Sequence, residues 1–125
     1  SRAGRGERSD GMTTEGIESV MIETHNWGRS VRFFKALGYE VDFETDHNSG
    51  LLRNGSGPYL FVAEVPASQP TEARVVLRAE DADTFQLDAE VEMVSAFEAT
   101  HWGTRVMVVR DPDGRLWNIE APAGE

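Results

Sequence analysis

Carboxylates are plentiful in this sequence, 22 Asp and Glu in all, but the imidazoles and thiols that usually accompany them in acid–base or metal sites are scarce. Imidazoles occur only at His25, His47 and His101, and there is no cysteine, which removes disulfides, thiolate metal ligands and a sulfur nucleophile together. All three histidines fall in segments read as loops, where an exposed polar role is the simplest. His101, directly before Trp102, is the one placed where a titratable ring could touch a ligand or move a proton. Glu23 and Glu120 fall on the polar parity of two strands and as a pair could serve as acid and base. Cross-strand arginines (Arg74, Arg78 or Arg105) could equally neutralise them. The ion pair is favoured for Glu120, which is expected opposite Arg105, and Glu23 reads as solvated near its strand end. Tyr59, Phe61 and Trp102 could stack a planar ligand, and the loop position of Trp102 gives it the best claim.

Other chemistries are excluded by context. The glycine-rich run Asn54-Gly55-Ser56-Gly57-Pro58 precedes a strand rather than a helix, so it lacks the amides and dipole that hold phosphate. No serine sits in a nucleophile-elbow pattern. Glu80-Asp81-Ala82-Asp83 reads as helix capping and first-turn acid, without the further ligands of a calcium loop.

The elements that position these groups come in two similar sets, roughly fifty residues apart, as expected of a duplicated supersecondary unit. In the first, Ile17 to Thr24 alternates as a half-buried strand with Val20 and Ile22 on one side and Ser19, Met21 and Glu23 on the other. Asn26 can cap a helix from Trp27 to Leu37 whose Trp27, Val31, Phe34 and Leu37 form one stripe, with Gly38 as the terminating glycine. Three strands follow, Tyr39 to Glu44, Gly50 to Arg53 and Tyr59 to Val65, separated by turn clusters. The second set opens at Arg74 to Ala79. It continues with a short helix over Glu80 to Asp88 capped by Asp81 or Asp83, a strand from Glu90 to Ser95, a loop over Glu98 to His101, and a hairpin. That hairpin turns at Asp111-Pro112-Asp113-Gly114, a type I pattern. With Arg110 and Arg115 as brackets, Val108 faces Trp117, Val106 faces Ile119, Met107 faces Asn118 and Arg105 faces Glu120.

At 125 residues one domain is expected over 12–125, with unit one at 17–66, a proline-bounded linker at 67–72 and unit two at 73–122. Residues 1–11, rich in Arg, Gly and Ser, read as a tag or disordered tail. No apolar run reaches membrane-spanning length, so no membrane partner is expected, and the cytoplasm is the default location. A net charge of −10 makes nucleic acid an unexpected partner.

The order of these pieces resembles the vicinal oxygen chelate superfamily of glyoxalase I, bleomycin-resistance proteins and extradiol dioxygenases. The resemblance is carried by Phe33-Phe34-Lys35-Ala36-Leu37-Gly38-Tyr39, by Trp102-Gly103-Thr104-Arg105, and by Asp111-Pro112-Asp113-Gly114-Arg115-Leu116-Trp117, and it spans Ile17 to Pro122. It implies an α+β fold of two tandem βαβββ units, whose curled mixed sheets surround a cleft with the helices outside. It makes Val20, Ile22, Val75, Leu77, Val106, Val108, Trp117 and Ile119 the helix-facing set. The opposite parity then lines the cleft.

Metal-dependent members of that superfamily place a histidine on the first strand of a unit and a Glu, Gln or His on its last. By the same resemblance Ser19 and Arg74 occupy the histidine positions here and Asn118 the carboxylate position. A hydroxyl, a fixed cation and an amide are poor substitutes, so neither a metal nor any other cofactor is expected. The resemblance therefore points to a bleomycin-resistance-like homodimer that binds or sequesters a small molecule, with antibiotic resistance as one use. Its ligand would meet Ser19, Met21, Glu23, Phe61 and Arg74, together with Val76, Trp102, Met107, Asn118 and Glu120. The alternative is a lyase, isomerase or dioxygenase with an unusual metal set, or a metal-free acid–base site built on Glu23, Glu120 or His101.

Overall fold

The computed structural model describes residues 12–123; the stretch read as a tag or tail lies outside them. The elements run β1 (Thr14–Thr24), α1 (Trp27–Ala36), β2 (Glu40–Glu44), β3 (Ser49–Arg53), β4 (Tyr59–Glu64), β5 (Ala73–Ala79), β6 (Glu92–Ala99), β7 (Thr104–Arg110) and β8 (Leu116–Pro122). This is an α+β chain of mixed sheet in two compact units. One is Ser19–Val75; the other joins residues 12–18 to 76–123. β1 and β5 therefore each run from one unit into the other.

In the Ser19–Val75 unit the strand order is β2-β3-β4-β1, with β1 and β4 parallel and the remaining pairs antiparallel. α1 begins where the Asn26 side chain accepts the Arg29 N–H, and it ends at Leu37 before Gly38, whose φ of +100° only glycine adopts without strain. Its Trp27, Val31 and Phe34 pack on Val20, Ile22, Leu52, Leu60 and Val62, the alternate residues of β1, β3 and β4. Leu52 and Val62 are wholly buried. Leu37, expected on the same stripe, is exposed because the helix stops before that turn is complete.

In the other unit the order is β5-β8-β7-β6. Its core is Ala79, Met107, Val109, Ile119 and Ala121. Two expectations fail here. No helix forms over 80–91; instead the Asp81 carboxylate accepts the Asp83 N–H and Asp88 accepts the Glu90 N–H, closing local turns. Ala82, Phe85 and Leu87 still pack on the core, so an irregular segment takes the helix's place over the sheet. The sheet gains length in turn, since β6 continues to Ala99 through what was read as the start of a loop.

The second failure is the hairpin register. The turn is type I, with Gly114 N–H bonded to the Asp111 carbonyl at 3.0 Å, but Gly114 adopts φ +90° and Asp111 pairs with Arg115. That adds a residue to the loop. Val109 consequently faces Trp117, Val108 faces Asn118, Met107 faces Ile119, Val106 faces Glu120 and Arg105 faces Ala121. A one-residue slip exchanges the faces of a strand, so Met107 lies in the core while Val106 and Val108 line the opposite side.

The duplication extends to side chains. In the β2–β3 turn, the Thr45 and Ser49 hydroxyls bond at 2.7 Å and Thr45 Oγ1 accepts the His47 N–H. In the β6–β7 turn, the Thr100 and Thr104 hydroxyls bond at 2.9 Å and Thr100 Oγ1 accepts the Trp102 N–H. Asn48 and Gly103, both at positive φ, receive at their carbonyls the N–H groups of Glu64 and Ala123.

Candidate functional site

Each sheet has a face turned away from its core. In the Ser19–Val75 unit one rung of that face crosses all four strands, from Phe43 to Leu51 to Phe61 to Met21. Phe43 joins it because the ladder shifts between Val41 and Phe43, re-aiming an aromatic ring that strict alternation would send to the core. Its ring is 58% exposed, whereas Phe61, Leu51 and Met21 are half-buried. On β1 and β4 the preceding rung pairs Ser19 with Tyr59. The Tyr59 phenol accepts a hydrogen bond from Arg53 at 3.2 Å, and the guanidinium lies 5.5 Å from the ring centre. Glu23 lies one rung further on, beside Ala63, where one carboxylate oxygen accepts the Glu72 N–H at 3.1 Å. Arg74 is 3.5 Å from Glu72.

In the other unit, Val76 pairs with Asn118, Asn118 with Val108, and Val108 with Ser95. The next rung runs Arg78, Glu120, Val106, Glu98. Glu120 has a well-defined setting: its Oε2 accepts both the Trp102 indole N–H and the Thr104 hydroxyl, each at 2.8 Å. Arg78 turns to Glu15 and Glu18, 3.6 Å from each. The expected Arg105–Glu120 pair does not form. Arg105 is on the core-side parity, bonding to the Ala123 carbonyl at 2.6 Å and pairing with Asp83 at 3.3 Å.

The sequence-based residues therefore divide. Ser19, Met21 and Phe61 share the open face of one sheet with Glu23 at its end, while Val76, Asn118 and Glu120 share one face of the other, where Val76 and Asn118 are buried at 3% and 9% exposure and Trp102 lies over Glu120. Met107 is 7% exposed within the core. Sequence reasoning gave Phe43, Leu51 and Arg53 no role, since nothing in the sequence marks the bulge that brings Phe43 onto this face. His25 bonds to the Gln69 carbonyl at 2.7 Å, His47 lies 3.0 Å from Asp46, and His101 is beside Trp102 with ring centres 6.3 Å apart.

The duplication permits a test of the metal positions. Glu64 and Ala123 make equivalent bonds, so counting back five places makes Tyr59 the counterpart of Asn118. Their lateral partners, Ser19 and Val76, are then counterparts too. Val76, and not Arg74, is the first-strand position of the second set. A hydroxyl, a phenol, an isopropyl group and an amide stand at the four positions, which does not fit the nitrogen and carboxylate ligands of a divalent metal. Among the described residues no three His, Asp or Glu side chains group as metal ligands.

No protein-family model matches the chain, and no characterised protein sequence matches it significantly. Solved structures do. A glyoxalase/bleomycin resistance protein/dioxygenase superfamily member from Vibrio splendidus 12B01 is 18% identical over 86% of this chain and 98% of its own, with a TM-score of 0.63. The methylmalonyl-CoA epimerase of Mycobacterium tuberculosis is 14% identical, covers 90% and 91% of the two chains, and reaches 0.71. The Mn(II)-bound glyoxalase of Novosphingobium aromaticivorans is 17% identical over 86% of this chain and 39% of its own, at 0.59. The chain thus has the vicinal oxygen chelate fold. Identities this low fix the fold and leave the activity to the site.

Proposed function

We propose that this chain binds or sequesters a small molecule on the open faces of its sheets without a catalytic metal, as a glyoxalase/bleomycin-resistance-like protein. The observation that supports the reading is the set Ser19, Tyr59, Val76 and Asn118, which by the resemblance stands at the metal positions and offers a hydroxyl, a phenol, an isopropyl group and an amide, poor ligands for a divalent metal. An apolar body would lie along Met21, Phe61, Leu51 and Phe43, within reach of Ser19 and the Tyr59–Arg53 pair. Glu120 and Trp102 form a separate polar set within the other unit. We also propose a homodimer.

Two measurements test this together. Protein purified without chelator should carry only traces of Mn, Fe, Ni or Zn by mass spectrometry, and stoichiometric metal would overturn the reading. A small-molecule thermal-shift screen should yield a stabilising compound, since a ligand at a hundred times its Kd adds about 2.7 kcal/mol. Phe61→Ser should abolish that shift.

A second reading, a metal-free lyase or isomerase, is supported by Glu120. Both of its donors act on Oε2, which leaves Oε1 for a substrate proton. Glu120→Gln separates the readings: it would abolish turnover in an enzyme and leave affinity within a fewfold range in a binding protein.

A further inference from the structure

Beside α1, on the side of β1 opposite the face described above, the chain forms an open recess of about 450 Å³, within the size range of small-molecule sites. Ile22, Phe33 and Phe34 give it an apolar wall, and Phe33 is 59% exposed. Most of its polar rim is already engaged. The Thr24 and Ser30 hydroxyls bond to each other at 2.6 Å, His25 bonds to the Gln69 carbonyl, and Asn26 accepts the Arg29 N–H. The helix terminus is taken as well, since the Trp27 N–H goes to Glu64 at 2.9 Å. The exception is the Arg29 guanidinium. Arg53, Arg74, Arg78, Arg105, Arg110 and Arg115 all pair with carboxylates. Among the described residues the α1 cations Arg29, Arg32 and Lys35 have no ion pair, and the helix contains no acid. In a chain of net charge −10, this uncompensated positive charge borders the recess.

We propose that this recess is a binding site for a small amphipathic anion, an aromatic or acyl carboxylate or sulfonate. Its apolar body lies on Ile22, Phe33 and Phe34, and its acid group meets Arg29. Glu23 also lines the recess. Its carboxylate is engaged by the Glu72 N–H, on the Ser19–Met21 parity of β1.

The probes are 1-anilinonaphthalene-8-sulfonate and its uncharged relative N-phenyl-1-naphthylamine, titrated by fluorescence into the full chain. Arg29 is exposed, so Arg29→Gln should fold normally. It should weaken the sulfonate roughly tenfold, the scale of one charge-assisted contact, and leave the uncharged probe within about twofold. Phe33→Ala should weaken both probes. Unchanged sulfonate affinity in Arg29→Gln overturns the proposal. So does loss of binding in Phe43→Ser with Arg29→Gln unaffected, because the probe would then occupy the opposite face of the sheet; that outcome leaves the proposed ligand face standing.

Discussion

Asp111 binds four partners within one turn. Its Oδ2 accepts the Trp117 indole N–H at 2.9 Å, its Oδ1 accepts the N–H groups of Asp113 and Arg115 at 2.9 and 2.8 Å, and its carbonyl accepts that of Gly114. The Trp117 hydrogen bond is the main reason the carboxyl titrates below its ordinary value of 3.8. The two amides and the Arg115 charge add to it, and desolvation opposes it. A depressed folded-state pKa means stability that is present above 3.8 and lost as pH falls through the lower folded value. Asp111→Asn should therefore lower the melting temperature at pH 7, and its gap from the parent should narrow below pH 3.8; a gap constant down to pH 2.5 would contradict this. The turn residues were legible because Asp, Pro and Gly each have a local role. Loop length was not, since it depends on whether Gly114 stays within the turn or extends it at positive φ. That single residue moved Met107 to the core and separated Arg105 from Glu120.

Among elements, α1 was readable from its cap, its stripe and its stop because all three signals agree. The segment 80–91 offered a capping acid and apolar residues at Ala82, Phe85 and Leu87, but so short a stretch gains little from helix propagation. Its Asp side chains close turns instead, a competition that composition cannot decide. The bulge in β2 was equally hidden, though a glycine marks its partner. A Cβ on Gly50 would collide with the Phe43 carbonyl oxygen and lie 3.0 Å from the Trp27 ring, so the strands and α1 close up only because that atom is missing. Gly50→Ala should cost about 1–3 kcal/mol in urea unfolding and displace Phe43 from the Leu51–Phe61–Met21 rung. A stability unchanged within about 0.5 kcal/mol would show that the contact relaxes freely.

For the molecule as a whole, the duplication decides which residues are comparable. It also explains why the metal positions could be judged from sequence only approximately, since the first-strand position moved from Arg74 to Val76 once β5 and β8 were in register. The same repeat leaves each sheet with a terminal strand, β2 in one and β6 in the other. β6 is the more exposed to association. Met93 and Val94 are 50% and 43% exposed, with Val91 just before the strand at 37%. Its two irregularities and the flanking Glu92 and Glu98 blunt the edge only in part. A second copy meeting this patch about a twofold axis would bury the same residues on both chains, which supports the homodimer proposed above. Sedimentation at micromolar concentration should give twice the chain mass, and Met93→Lys with Val94→Glu should give a monomer whose melting temperature no longer depends on protein concentration. A parent chain that sediments as a monomer would remove the dimer, while the ligand-binding reading would stand, because each open sheet face described above lies within a single chain.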